Sequence, residues 1–128
     1  MTRTPATHLS RRTPRTLPLL FVLALALVFA LALRPAPEVV EMVESQDKIG
    51  HFVAFLFLAL LGFAAWPRRV LTVAAILLLY GVAMEVGQSF TEHRHGDVWD
   101  WVADALGVAT ALLVHAGFQR LRLSRAVA

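Results

Sequence analysis

A chain of 128 residues that is 58% hydrophobic and only 16% charged, with a mean hydropathy of +0.65, is too apolar for a soluble domain and long enough for one compact unit. Its formal net charge of +3 and pI near 10.6 do not point to nucleic acid, because the basic residues flank apolar runs, where they act as membrane topology signals. The absence of cysteine excludes disulfides, thiolate metal sites and cysteine nucleophiles, and leaves the redox compartment open.

Residues 1–16 are polar, rich in Thr and Pro, and carry Arg3, Arg11, Arg12 and Arg15. They show no apolar periodicity and are expected to form a disordered basic cytoplasmic tail. Residues 17–33 are an unbroken apolar run, the first predicted transmembrane helix, stopped by Arg34, Pro35 and Pro37. A cleaved signal peptide is the competing reading, given Ser10-Arg11-Arg12 and Ala30-Leu31-Ala32. The run is long for a signal core, which favours a retained span.

Residues 34–47 form an acidic extracytoplasmic segment in which Glu38, Glu41 and Glu44 recur at spacing three and Val39, Val40 and Val43 share another face. A short surface helix and a plain linker both fit. Residues 48–118 then hold three further spans. The second runs from Ile49 to Ala65, closed by Trp66 and Pro67, the third from Val70 to Phe90, and the fourth from Val98 to Phe118. Each is long enough to cross a hydrocarbon core of about 30 Å. Ala83 with Gly87, and Ala103 with Gly107, make small-residue pairs that permit close helix contact. Residues 119–128 are a second basic tail. The fold expected is an all-α, polytopic transmembrane four-helix bundle.

Loop charges set its orientation. Arg3, Arg11, Arg12, Arg15, Arg68, Arg69, Arg120, Arg122 and Arg125 fall on one side, Arg34, Lys48 and Arg94 on the other. The positive-inside rule puts both termini and the 66–69 turn in the cytoplasm, with Trp66 at the inner interface and Trp99 and Trp101 at the outer one.

The acidic residues then gather on the outer side. Glu85 lies about 7 Å and Asp104 about 9 Å inside the outer ends of their helices at helical rise, a depth at which a lone charge costs several kcal/mol, on the order of 3 or more. Asp97, Asp100, Asp104 and Gly107 fall within an arc of about 80° on one helix. Lys48 and His51 share a face, as do Glu85 and Gln88. A single pocket of Asp47, Lys48, His51, Glu85, Gln88, Arg94, Asp97, Asp100 and Asp104 is the economical arrangement, because buried charges can then satisfy one another. Blander roles compete at several positions. Asp47 and Asp97 stand where N-caps belong, and Lys48 and Arg94 can serve as interfacial charges. Glu85 and Asp104 can each be half of a structural buried ion pair with a basic residue, His115 is interfacial, and Tyr80 and the Phe-rich second span are packing residues. Five carboxylates against Lys48 and Arg94 leave an acidic excess, so either carboxylates share protons or a divalent cation (Mg²⁺, Ca²⁺ or Mn²⁺) binds, with His51, Glu85, Asp100 and Asp104 as candidate ligands. The same excess argues against an anion without a bridging metal.

Asp47-Lys48-x-x-His51 opening one span, Glu85-x-x-Gln88 closing the next, and Arg94-x-x-Asp97-x-x-Asp100-x-x-x-Asp104-x-x-Gly107 opening the last resemble the VanZ-like family of small bacterial membrane proteins. That family takes its name from a component associated with teicoplanin resistance. The resemblance covers residues 38–118 and departs at Asp104, where the family usually has asparagine. It implies a bacterial cytoplasmic membrane and a link to the cell envelope.

Three functions follow from the residues, the glycopeptide and teicoplanin part of the first being what the resemblance implies. The first is non-enzymatic binding of an envelope lipid, a lipid-linked cell-wall precursor or a glycopeptide-like ligand, with a bearing on teicoplanin tolerance. No recognisable nucleophile pair exists, since Ser89 lacks a spaced His–Asp relay and there is no Gly-x-Ser-x-Gly elbow. The second is a metal-assisted intramembrane enzyme acting on a lipid-linked envelope substrate, with Lys48 and Arg94 holding a phosphate. Ion or proton translocation is third, because the inner half offers only Thr72, Thr110 and His115. Partners expected are the bilayer and such a ligand, with no nucleic acid; four short helices would also suit a homodimer.

Overall fold

The structure is a computed structural model that describes residues 14–34, 44–91 and 97–127. These residues form four helices: α1 (Thr16–Ala32), α2 (Glu44–Ala65), α3 (Val70–Ser89) and α4 (Val98–Val127). The chain is all-α, a four-helix bundle, as its apolar runs predict. Gln46–Ala65, Val70–Ser89 and Val98–Ala126 are each long and apolar enough to cross a membrane, and α1 is a shorter apolar helix of 17 residues. At helical rise α1 is about 25 Å long, close to the hydrocarbon thickness.

Local chemistry sets the ends. Leu33 and Arg34 donate their backbone N–H groups to Phe29 and Leu31, and Pro35 follows, which cannot continue the ladder. Trp66 N–H closes the last turn of α2 on Gly62, and Arg69 N–H turns back to Trp66 across Pro67. Two ends differ from expectation. α2 starts at Glu44 rather than near residue 48, because nothing between Pro37 and Gly50 breaks a helix. α4 continues nine residues past Phe118, through a stretch of Gln, Arg and Leu with good helix propensity and with Arg125 in the last turn, where it complements the helix dipole. The N-terminal tail and the 35–43 stretch lie outside the described residues.

The helices alternate in direction, so α1 starts beside the α2–α3 turn, where the Phe21 and Trp66 rings meet edge to face at 5.4 Å. Arg15, Arg68, Arg69 and the α4 C-terminus thus share one end of the bundle. Inside, Phe55, Leu58 and Phe63 of α2 pack on Leu77 and Met84 of α3 and Val108 of α4. Outside, Leu19, Leu23, Leu27, Leu71, Leu79 and Leu113 are exposed, an apolar surface suited to lipid rather than water. In lipid, such helices associate by close packing rather than by the hydrophobic effect. α2 and α4 make the most intimate pair. A Cβ on Gly107 would stand 2.5 Å from the Phe52 carbonyl oxygen and 2.9 Å from the Leu56 nitrogen. Only glycine permits that approach, and it is this approach that sets Asp104 against α2.

Candidate functional site

The polar residues gather at the end of the bundle opposite the arginines. Asp97 organises them. Its Oδ1 accepts the Trp99 N–H at 3.0 Å, capping α4 as the sequence predicts. Its Oδ2 accepts Lys48 Nζ of α2 at 2.8 Å, and its own N–H donates to Glu85 Oε2 of α3 at 2.8 Å. One residue therefore ties three helices. The Lys48 ammonium, then the Trp99 N–H, hold the Asp97 carboxyl below the usual carboxylate range. Asp47 does not cap α2, since the helix is already formed three residues before it. It instead sits one turn from His51 on the same face, and groups with His51 and Asp100.

Deeper in the bundle, His51 stands between two aspartates. One ring nitrogen, Nδ1, is 2.9 Å from Asp104 Oδ1, while Nε2 is 4.0 Å from Asp100 Oδ2. Lys48 Nζ lies 3.5 Å from Asp100 Oδ1. His51 and Asp100 are buried and Asp104 is fully so, at 0% exposure. Three buried oxygens, Glu85 Oε1, Asp100 Oδ1 and Asp104 Oδ2, have no hydrogen-bond partner among the described residues, though Asp100 Oδ1 has the Lys48 ammonium 3.5 Å away. A side chain on Gly81 would meet Asp104 Oδ2 at 2.9 Å, so the bare α3 backbone at residue 81 makes room for that carboxylate.

Asp47, Lys48, His51, Glu85, Asp97, Asp100 and Asp104 are thus brought together. Gln88 is not: its amide donates to the Ala32 carbonyl at 3.2 Å and fastens the end of α1 to α3. Arg94 lies outside the described residues. Three contacts go beyond the sequence reading. Tyr80, expected only to pack, donates its hydroxyl to the Leu25 carbonyl at 2.7 Å. Trp101, expected at the interface, sends its indole N–H to the Leu78 carbonyl at 3.1 Å. Gly81 lies one turn from Glu85 on the same face, the one signal in the sequence that could have marked it.

Two clefts open beside the cluster. One, of about 480 Å³ between α3 and α4, has walls of Val82, Val86, Val98 and Trp101, with Glu85 and Asp97 at its polar side. The other, of about 240 Å³, lies among α1, α2 and α3 and is lined by Val28, Leu31, Ala54 and Met84, with Asp47 and His51. Each joins apolar walls to a polar wall, a shape that suits an amphiphile.

Among known proteins, an uncharacterised protein of the fission yeast Schizosaccharomyces pombe is 34% identical over 85 residues, which is 62% of this chain and 52% of the yeast protein. The chain thus spans about half the length of that relative. No solved structure matches the chain significantly. A sequence profile of the VanZ/LLP1 family matches residues 8–119, taking in α1 to α3, α4 up to Gln119 and all of the described polar cluster. By that match the chain belongs to the VanZ/LLP1 family.

Proposed function

We propose that this protein spans the bacterial cytoplasmic membrane with both termini inside, and that its outer polar end binds the headgroup of an envelope lipid or a lipid-linked cell-wall precursor. The observation that carries this reading is the α3–α4 cleft, whose apolar walls run up to Glu85 and Asp97. An acyl chain in the cleft would place its headgroup beside the carboxylates and Lys48. The orientation rests on the arginines gathered at the opposite end. A relative in a yeast favours a lipid, a ligand class that every membrane contains, over a glycopeptide. Glycopeptide binding with teicoplanin tolerance is the narrower form of the same reading.

A metal-assisted enzyme acting on such a lipid is the second reading, favoured by two trios of metal-ligating side chains that share His51. No nucleophile pair is evident among the described residues, and binding without catalysis is the simpler reading.

The test is titration of the nanodisc-embedded protein with undecaprenyl phosphate, lipid II and teicoplanin, read by native mass spectrometry. Saturable binding of one of the two lipids, weakened at least about tenfold by Val86→Trp, is expected, because the indole takes up the apolar space between Val82, Val98 and Trp101. Lack of saturable binding by all three, or binding indifferent to Val86→Trp, would defeat the proposal.

A further inference from the structure

The acidic cluster contains two trios that share His51: Asp47, His51 and Asp100 near the surface, and His51, Glu85 and Asp104 deeper in. In each, one ligand atom per residue lies within 4.8 Å of the others. The trios are not equivalent. In the shallow one, Asp100 already has the Lys48 ammonium at 3.5 Å. Among the described residues three buried oxygens lack a hydrogen-bond partner; Asp100 Oδ1, in the shallow trio, has that ammonium beside it, whereas the other two, Glu85 Oε1 and Asp104 Oδ2, both belong to the deep trio. Asp104 is fully buried, and its free oxygen faces α3 at Gly81, where a methyl group would strike it at 2.9 Å. A buried carboxylate oxygen with nothing to accept from is costly. Here carboxylates of two different helices, grouped with His51, each keep one oxygen in that state.

We propose that the deep trio is a binding site for one divalent cation, with His51, Glu85 and Asp104 each supplying a ligand and Mn²⁺ the best-suited ion. In an octahedral shell with bonds of about 2.1 Å, neighbouring ligand atoms are about 3.0 Å apart and opposite ones about 4.2 Å. The 2.9 Å between His51 Nδ1 and Asp104 Oδ1 matches a neighbouring pair, and an ion bound to both from one side displaces the proton they share, which leaves to solvent. Carboxylate oxygens select Mg²⁺ and Mn²⁺, and the imidazole nitrogen tilts the choice to Mn²⁺. The cation also balances an end of the bundle where, among the described residues, five carboxylates face Lys48 and one imidazole. This inference is independent of lipid binding, since the ligands are the chain's own side chains and the ion needs no lipid in the clefts.

The experiment uses full-length protein in detergent, stripped with EDTA and titrated with MnCl₂, followed by Mn²⁺ electron paramagnetic resonance and thermal melting. Binding of one Mn²⁺ per chain and a saturable rise in melting temperature are expected. Glu85→Gln should weaken binding at least tenfold, whereas Asp47→Asn, which removes a carboxylate of the shallow trio but no ligand of the deep one, should change it less than about threefold. Spin-echo modulation from one ¹⁴N nucleus in the wild type identifies the imidazole without any variant. The inference is overturned if the folded wild type binds no Mn²⁺ stoichiometrically, if the bound ion shows no nitrogen coupling, or if Asp47→Asn abolishes binding as fully as Glu85→Gln. Val86→Trp should leave Mn²⁺ binding intact, which separates this result from the fate of the lipid reading.

Discussion

Replacing Gly107 by alanine tests how the core and the polar site are joined. The added methyl would lie 2.5 Å from the Phe52 oxygen and 2.9 Å from the Leu56 nitrogen. Both are backbone atoms, so neither can swing aside as the end of a flexible side chain would. Ordinary contact begins near 3.4 Å, so α2 and α4 must part by about 1 Å at this point, overpacking that costs about 1–3 kcal/mol. The same shift would stretch the His51–Asp104 contact, 2.9 Å and less than a turn away along α4, beyond hydrogen-bonding range. SDS-driven unfolding in bicelles, followed by tryptophan fluorescence, measures the loss. Gly117→Ala is the control, since its Cβ would meet nothing within 4 Å and alanine is the better helix former by up to about 1 kcal/mol. Equal stability of Gly107→Ala and wild type, or equal effects of the two variants, would refute the close approach of α2 and α4.

The Lys48–Asp97 pair predicts a pH dependence. Asp97 is held below its ordinary value of 3.8, so the stability it contributes is present above that value and lost as pH falls through the lower folded value. The gap in melting temperature between wild type and Asp97→Asn should be flat above about pH 5 and close below about pH 4; a gap that persists unchanged at pH 2 would contradict the pairing. Tyr80→Phe removes the bond to the Leu25 carbonyl and should cost about 0.5–1.5 kcal/mol. Faster proteolysis within α1 is its expected signature, and unchanged kinetics would count against that bond. Because the chain lacks cysteine, single cysteines report orientation. One at Thr91 should react with an impermeant maleimide in intact spheroplasts, and one at Ser124 only after permeabilisation; the reverse pattern would invert the topology.

The helices were legible because lipid demands long apolar runs, and the runs end at Arg34, Pro35 and Pro67 where chain chemistry requires it. The convergence of Asp97, Asp100 and Asp104 was legible too, since helical spacing alone puts them on one face. Less legible was whatever depends on which helix lies opposite. Tyr80 sits in an apolar run and reads as packing, yet its hydroxyl bonds a carbonyl 55 residues earlier. Gln88 shares a face with Glu85 by spacing, but its longer reach takes it to the end of α1. Trp101 matched the aromatic-belt pattern at a helix start, while its indole is committed to α3. Asp47 read as a cap because acidic residues before it suggested a linker, although no helix breaker lies between Pro37 and Gly50 to stop α2 from starting earlier.

Asp104 is the residue whose charge is hardest to explain by stability. The Lys48–Asp97–Glu85 chain already links α2, α3 and α4. An asparagine at 104 could keep the 2.9 Å contact to His51 and turn the unpartnered Oδ2 into an NH₂ group facing α3. There it could donate toward Glu85, whose Oε1 also lacks a partner. Without metal, Asp104→Asn should therefore raise stability by about 1–3 kcal/mol, the cost of the orphaned oxygen it removes. With saturating Mn²⁺ the order should reverse, because the wild type gains the free energy of ion binding and the variant has lost an anionic ligand. Melting both proteins in EDTA and in Mn²⁺ measures the crossing. A variant less stable in both conditions would mean that the Asp104 carboxylate is structural, held by His51 alone. A variant more stable in both would mean that the charge serves something other than a cation.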